Sequence, residues 1–443
     1  MNSMSQGLLR VRERAVKDKS VRFTALLHHI TVEALEASYN ALKCNAAPGV
    51  DGCTWQDYQK DRAERLKELH ARIHSGAYRA QPSLRAYIPK SDGTKRPLGI
   101  AALEDKIVQH AVSEILAAIY ETEFYGFSYG FRPGRGCHDA LDSLYMGIIT
   151  KKVNYVLDAD IRKFFDSISH EWMIRFLERR VTDQRILRLI RKWLRAGVSE
   201  EGEWSSTKAG VPQGAVISPL LANIFLHYVL DDWVVQWRKE QAAGDVIIVR
   251  YADDFVMGFQ YKREAERFLK ELRERLQYFE LSLHPDKTRL IEFGRFAARD
   301  RRNRGEGKPE TFDFLGFRHI CGTTRKDKRF KILRKTISTR MAETIKRIGR
   351  TLFASMHSDI DKVGQWLQRV MLGYYRYFAV PGNIRTISSF RYAIGRIWFK
   401  ALRRRGQKGK IRWDTFSRFE KRWLPVPSAL HPYPNERFCA KYT

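Results

Sequence analysis

The sequence predicts an α+β protein that ends in a basic, mostly helical region. Three observations carry this. Strand-like and helix-like segments mix without regular βα alternation. The run DVIIVRYADDFVMGF (245–259) reads as two β-rich segments folded back on an acidic turn. The last third shows helical periodicity crowded with Lys and Arg.

In chain order, residues 1–45 read as helix with interleaved basic residues, broken at Pro48-Gly49. LRAYIPKSDGTKRPLGI (84–100) reads as a hairpin, with Ser91-Asp92-Gly93 as its turn. From 103 to 119, Leu103, Ile107, Val108, Ala111, Val112, Ile115, Leu116 and Ile119 share one helical face. A strand is predicted at 153–159 and a helix at 170–196. A loop follows at 210–214, then an amphipathic helix at 216–236. Residues 262–280 return to helix, 295–310 is polar and reads as an exposed loop, and 333–356 and 361–378 are helical.

The 443 residues carry 80 Lys+Arg against 50 Asp+Glu, a net charge of +30. A hydrophobic fraction of 44% excludes a disordered basic tail. The charge is uneven. Residues 321–443 hold 29 basic and 7 acidic side chains, net +22, against +8 for the first 320. Such an excess calls for a polyanionic partner, and the tail reads as a nucleic-acid-binding region. No apolar run is long enough to span a bilayer, and the first residues lack a signal core, so no membrane role is expected. Five scattered cysteines without a C-x-x-C pair argue against a zinc site or a disulfide framework.

Against this basic background, carboxylates placed at the ends of apolar strands need a reason. Asp253 and Asp254 sit between Ile247-Ile248-Val249 and Phe255-Val256-Met257. Adjacent carboxylates repel and resist desolvation. Such a pair is either an exposed hairpin turn or a cation site. A second strand, Val156 to Ile161, ends on Asp160. If the two strands neighbour each other, three carboxylates converge. Hard oxygen ligands of this kind suit Mg²⁺, and two such ions serve nucleotidyl transfer.

Six blocks then occur in order. They are FYGFSYGFRPGRG (124–136), Asp160-Ile161-Arg162-Lys163-Phe164-Phe165-Asp166, GVPQGAVISPLLANIFL (210–226), YADD (251–254), LHPDKT (283–288) and FDFLGF (312–317). From about residue 46 onward the chain resembles group II intron-encoded reverse transcriptase/maturases. The resemblance implies a right-hand polymerase: fingers, a palm with an antiparallel sheet, a helical thumb and a basic maturase region. The implied divisions are 1–45 (N-terminal basic extension), 46–320 (fingers and palm), 321–400 (thumb) and 401–443 (maturase tail).

By the same resemblance, Asp160, Asp253 and Asp254 are the catalytic carboxylates. Together with Ile161 they form the site of two Mg²⁺ ions. Lys90, Arg96, Phe165, Gln213 and Lys287 are expected at the dNTP. Phe165 excludes a ribose 2′-hydroxyl, is a core aromatic, or does both. Lys287 is either a proton donor to pyrophosphate or a surface lysine. Arg132, Gly214, Tyr251, Arg376 and Arg403-Arg404-Arg405 are expected on template, primer or RNA. The implied activity is RNA-directed DNA synthesis on a DNA or RNA primer, with intron RNA bound for splicing and a DNA target for retrohoming. Alternatives are a maturase with dispensable polymerase, or a host-adapted enzyme of defence or repair. The expected location is cytoplasmic, bacterial-type and nucleoid-associated in use. The chain stops soon after the segment WLPVPSALHPYPNERF (423–438), without the His-Asn-His endonuclease of many relatives, so second-strand cutting is not expected.

Overall fold

The structure, a computed structural model, describes residues 4–442 apart from 90–94, 201–202, 206–208, 325 and 407–410. Lys90 and the turn at Ser91-Asp92-Gly93 lie outside the described residues.

The chain opens with α1 (Gln6–Lys17), α2 (Val32–Ala41), α3 (Trp55–Lys60) and α4 (Arg62–His74). The predicted hairpin follows as β1 (Ser83–Pro89) and β2 (Lys95–Ile100). Next come α5 (Leu103–Tyr120), α6 (Cys137–Thr150), β3 (Tyr155–Asp160) and α7 (Phe164–Ser167). After these lie α8 (His170–Glu178), α9 (Gln184–Arg195) and the short strands β4 (Val198–Glu200) and β5 (Glu203–Ser205). Then come α10 (Ser218–Leu226), a π turn (His227–Asp231), α11 (Asp232–Glu240), β6 (Val246–Tyr251), β7 (Asp254–Phe259) and α12 (Lys262–Tyr278). Next are β8 (Arg289–Glu292), α13 (Ala297–Asn303), β9 (Phe312–Phe314), β10 (Phe317–Thr323) and β11 (Phe330–Thr336). The chain finishes in five helices: α14 (Ser338–Ala354), α15 (Ile360–Phe378), α16 (Ile384–Arg403), α17 (Trp413–Trp423) and α18 (Pro434–Tyr442).

The strands form three sheets, ordered β2-β1-β4-β5, β6-β7-β3-β8 and β11-β10-β9. The second is antiparallel throughout and central. Alternation along it divides the core. Leu157, Ala159, Phe255 and Met257 face the largest apolar cluster, with α5 and α8–α10. Val156, Val249, Val256 and Ile291 face a smaller cluster shared with α6 and the third sheet. The helices of the last hundred residues pack around their own core of Leu367, Tyr375, Phe390, Ile394 and Trp398.

Several expected elements differ. The helix read at 170–196 is two helices, because Asp183 starts α9 by accepting from Arg185 N. Its other carboxylate oxygen accepts from Leu26 N (2.7 Å) and Leu27 N (3.0 Å), which fastens the N-terminal segment. The segment 216–236 is buried nearly all round rather than amphipathic, and a π turn interrupts it. The stretch 295–310 contains the short helix α13. Residues 333–336 belong to β11, and the helix begins only at Ser338. Strand β10 runs across residue 320 and helix α16 across residue 400, where two of the sequence divisions were drawn.

Candidate active site

β6 and β7 form a hairpin with a two-residue turn, and Tyr251 pairs with Asp254 across it. Ala252 occupies the turn at φ 57°, a left-handed conformation that costs an alanine about 1 kcal/mol. β3 lies on the other side of β7, and in that register Asp160 sits directly opposite Asp254. The two carboxylates, 94 positions apart in the sequence, are therefore cross-strand neighbours on one face. Asp158, two residues back on β3, shares that face. Sequence reasoning missed it as a site residue, although its period-2 spacing from Asp160 was visible.

The acidic face is electrostatically strained. Burial pushes the Asp254 carboxyl up to about 8, and the carboxylates of Asp158, Asp253 and Asp160 add to the rise. Burial likewise raises Asp158 to about 6, against the opposing pull of Arg289. Asp253 is raised by burial and by Asp160, while Arg96 and Arg250 oppose the shift. Among the described residues no three His, Cys, Asp or Glu side chains are closed into a ligating cage. The donor chemistry nonetheless fits a divalent cation. The site offers hard oxygens on one face whose ionised forms lack sufficient counter-charge.

The segment after α12 completes the rim. Arg162 N donates to Ser282 O and His284 N donates to Asp160 O, both at 2.8 Å, while Ile161 bridges Leu283. These bonds carry LHPDKT along the end of β3 and set Lys287 Nζ 2.8 Å from Asp160 Oδ2. The lysine is well exposed, so this contact is weak in itself and its position is the informative part.

Residues 210–214 connect the site to the β1–β2 hairpin. Val211 N donates to Phe165 O (2.7 Å), and Gly99 N donates to Gln213 O (2.7 Å). Gly214 adopts φ 108°, and a Cβ there would stand 3.1 Å from Gly99 O. Gln213 Nε2 also reaches Asp166 Oδ1 at 3.4 Å. Phe165 is half-buried and packs edge-on against Phe164, at 5.5 Å between centroids. Arg96 is exposed on β2, close enough for its charge to act on Asp253. Tyr251 is half-buried at the end of β6 and lies near Phe131.

Arg132, expected on template, primer or RNA, has a side chain only 4% exposed. Its Nε pairs with Glu121 at 3.0 Å, and its Nη1 donates to the carbonyls of Tyr125 and Ser128. It is a clamp for the 125–135 loop, because that loop turns back under its own arginine. Arg405 also has internal work, since its Nη2 donates to Ser358 O at 2.8 Å and to His357 O at 3.3 Å. Arg376, Arg403 and Arg404 stay exposed far along the helices of the last hundred residues.

Sequence reasoning also missed the support beneath the turn. Arg250 and Asp231 are both fully buried and paired through Nε (2.8 Å) and Nη2. Removing one partner of such a pair costs roughly 3–5 kcal/mol. An Arg directly after Ile247-Ile248-Val249, and an Asp231-Asp232 pair directly after a largely apolar run, were the available signals.

Residues 88–319 match the family described as reverse transcriptase (RNA-dependent DNA polymerase). This chain belongs to that family. Protein YkfC of Escherichia coli is 34% identical over 310 residues, covering 62% of this chain and 81% of that protein. The group II intron-encoded protein LtrA of Lactococcus lactis is 34% identical over 235 residues, 53% of this chain and 39% of LtrA. Nuclear intron maturase 4 of Arabidopsis thaliana is 23% identical over 220 residues, 49% and 26% respectively. The chain thus spans most of the first relative and less than half of the two intron proteins. Its kinship is with group II intron-encoded reverse transcriptase/maturases. Among the described residues no helix is long and apolar enough to cross a membrane.

Proposed function

We propose that this reverse transcriptase extends a DNA or RNA primer on an RNA template for a group II intron, and that it binds intron RNA to assist splicing and retrohoming. The observation that carries the reading is the register placing Asp160 opposite Asp254 beside Asp253, on a face short of positive charge. In this reading β1–β2 and the helices before it are fingers, the central sheet is palm, and α14–α16 are thumb. Asp160, Asp253, Asp254 and the Ile161 carbonyl hold two Mg²⁺ ions. Bound Mg²⁺ supplies charge stabilisation for the primer 3′-hydroxyl and the leaving pyrophosphate. Arg96, with Lys90, grips the triphosphate. Lys287, beside Asp160, donates a proton toward pyrophosphate in this reading. Gln213 and Gly214 shape the floor under the nucleotide and template, and Tyr251 abuts the primer end. A DNA target and location at the nucleoid belong to the same reading.

The direct test is dNTP incorporation on a primed RNA template with Mg²⁺, together with splicing of the flanking intron by an Asp253→Ala variant. DNA synthesis disappears and splicing survives if the two roles rest on different surfaces. Undiminished synthesis in that variant would refute the catalytic assignment.

Two further outcomes are expected here. Phe165→Ala should raise ribonucleotide incorporation by about tenfold or more, since a steric filter is lost. An unchanged dNTP/rNTP ratio removes the gate role. RNA affinity should fall steeply with salt, and replacing Arg376, Arg403 and Arg404 together should lower the log–log slope by about 2. A slope that does not move would place RNA elsewhere.

A further inference from the structure

Resting on the polymerase reading, we infer that the buried Arg250–Asp231–Asn223 network is the positioning device that holds the Ala252-Asp253 turn in its working geometry. Arg250 precedes the turn by two residues and points away from the acidic face into the interior. Its guanidinium makes four contacts. Nε and Nη2 engage both carboxylate oxygens of Asp231, at the end of the π turn. Nη1 donates to Asn223 Oδ1 (3.0 Å) and to the Ala252 carbonyl (2.9 Å). That carbonyl belongs to the one residue of the turn held at a left-handed φ. The network therefore grips the strained residue itself.

A second arm closes on the same turn from outside. Asn223 Nδ2 donates to Gly130 O at 2.7 Å. Gly130 lies flush against the turn, and a Cβ on it would stand 2.3 Å from Ala252 N and 2.9 Å from Tyr251 C. Backbone bonds add to this. Arg250 N donates to Phe127 O and Tyr129 N donates to Arg250 O, both at 2.9 Å. The 127–130 segment and the acidic turn are locked face to face, with Asn223 bridging Arg250 to Gly130.

Orientation needs explain the arrangement. A shift of about 1 Å in Asp253 relative to Asp160 would be costly for in-line chemistry, on the order of 10²-fold in rate. A bare two-residue turn carrying repelling carboxylates would relax outward. A planar, bidentate guanidinium with a further donor on the turn carbonyl resists that motion, and a flexible ammonium would not. Arg250 touches no reacting atom, so its role is positioning.

The test replaces both charges together. Arg250→Met/Asp231→Leu leaves no buried charge unpaired, which preserves folding. A folded double variant is expected to bind primer–template with unchanged Kd. Its single-turnover rate should fall about 10- to 100-fold, and the Mg²⁺ concentration for half-maximal rate should rise several-fold. Arg250→Lys, with Asp231 retained, should recover only part of the rate. A folded double variant whose rate and Mg²⁺ requirement stay within about twofold of the parent overturns the inference. Should the double variant fail to fold, Asn223→Ala decides. It keeps the ion pair and deletes only the bridge, so an unchanged rate and Mg²⁺ requirement count against the network. Failure of the polymerase reading itself would show separately, as synthesis that survives Asp253→Ala.

Discussion

Primer extension on an RNA template falls by at least about 10³-fold in Asp254→Asn, and the metal-free variant is more stable than its parent at pH 8. The first half follows from losing a carboxylate directly opposite Asp160. The second follows from the environment of that carboxylate. Burial and three neighbouring carboxylates raise it to about 8 in the folded state. A carboxyl raised in this way leaves the fold unpenalised below its unfolded value, near pH 4. It then weakens the fold progressively as pH climbs through the folded value. The window is therefore about pH 4 to 8, with a slope of at most about 1.4 kcal/mol per pH unit. Asparagine carries no such penalty. Thermal melts of metal-free protein across this range should converge near pH 4 and separate in the variant's favour toward pH 8. Added Mg²⁺ should raise the parent's Tm more at pH 8 than at pH 6. A variant less stable than the parent at pH 8 would show that the acidic face is not under electrostatic load.

Replacing Asp142 with alanine should destabilise the protein by roughly 3–5 kcal/mol. Asp142 is buried on α6 between two arginines, Arg334 of β11 (Nη1 at 2.9 Å) and Arg437 of α18. Without it, the buried Arg334 and the partly buried Arg437 lose their shared anion. The effect should be local as well as global. Arg437 Nη1 contacts His431 Nδ1 at 2.8 Å, His431 Nε2 donates to Arg376 O at 2.7 Å, and Leu430 N donates to Ala379 O. The last segment is thus strapped over both α6 and the end of α15. Hydrogen exchange in 430–442 should quicken sharply in Asp142→Ala. Arg437→Ala should cost less, because the Arg334–Asp142 pair stays whole. Equal losses for the two substitutions, or an unchanged Tm in Asp142→Ala, would contradict this account.

The strap also alters how the basic tail is understood. A net +22 over residues 321–443 suggested a surface given over to polyanion binding. Part of that charge is internal. Arg334 and Arg437 neutralise Asp142, Arg391 pairs with Glu420 at 2.9 Å, and Arg405 caps the turn at His357-Ser358. Arg376, Arg403 and Arg404 remain on the outside.

By itself the sequence determined the mixed fold, the strand–turn–strand around Asp253-Asp254, the acidic end of β3 and the hairpin at 84–100. Each of these is written locally, in side-chain periodicity, adjacent carboxylates and turn residues. Local patterns could not say which strands neighbour each other or which polar groups are sealed from water. Only the tertiary structure decided that Asp160 faces Asp254, that Asp158 joins them, that Arg132 is an internal clamp, and that Arg250 holds the turn. It also decided where the long helical periodicities break, at Asp183 and at the π turn before Asp232. The reason is common to all of these. Buried ion pairs and cross-strand registers join residues far apart in the chain, and their energies depend on desolvation, which exists only once the chain has closed around them.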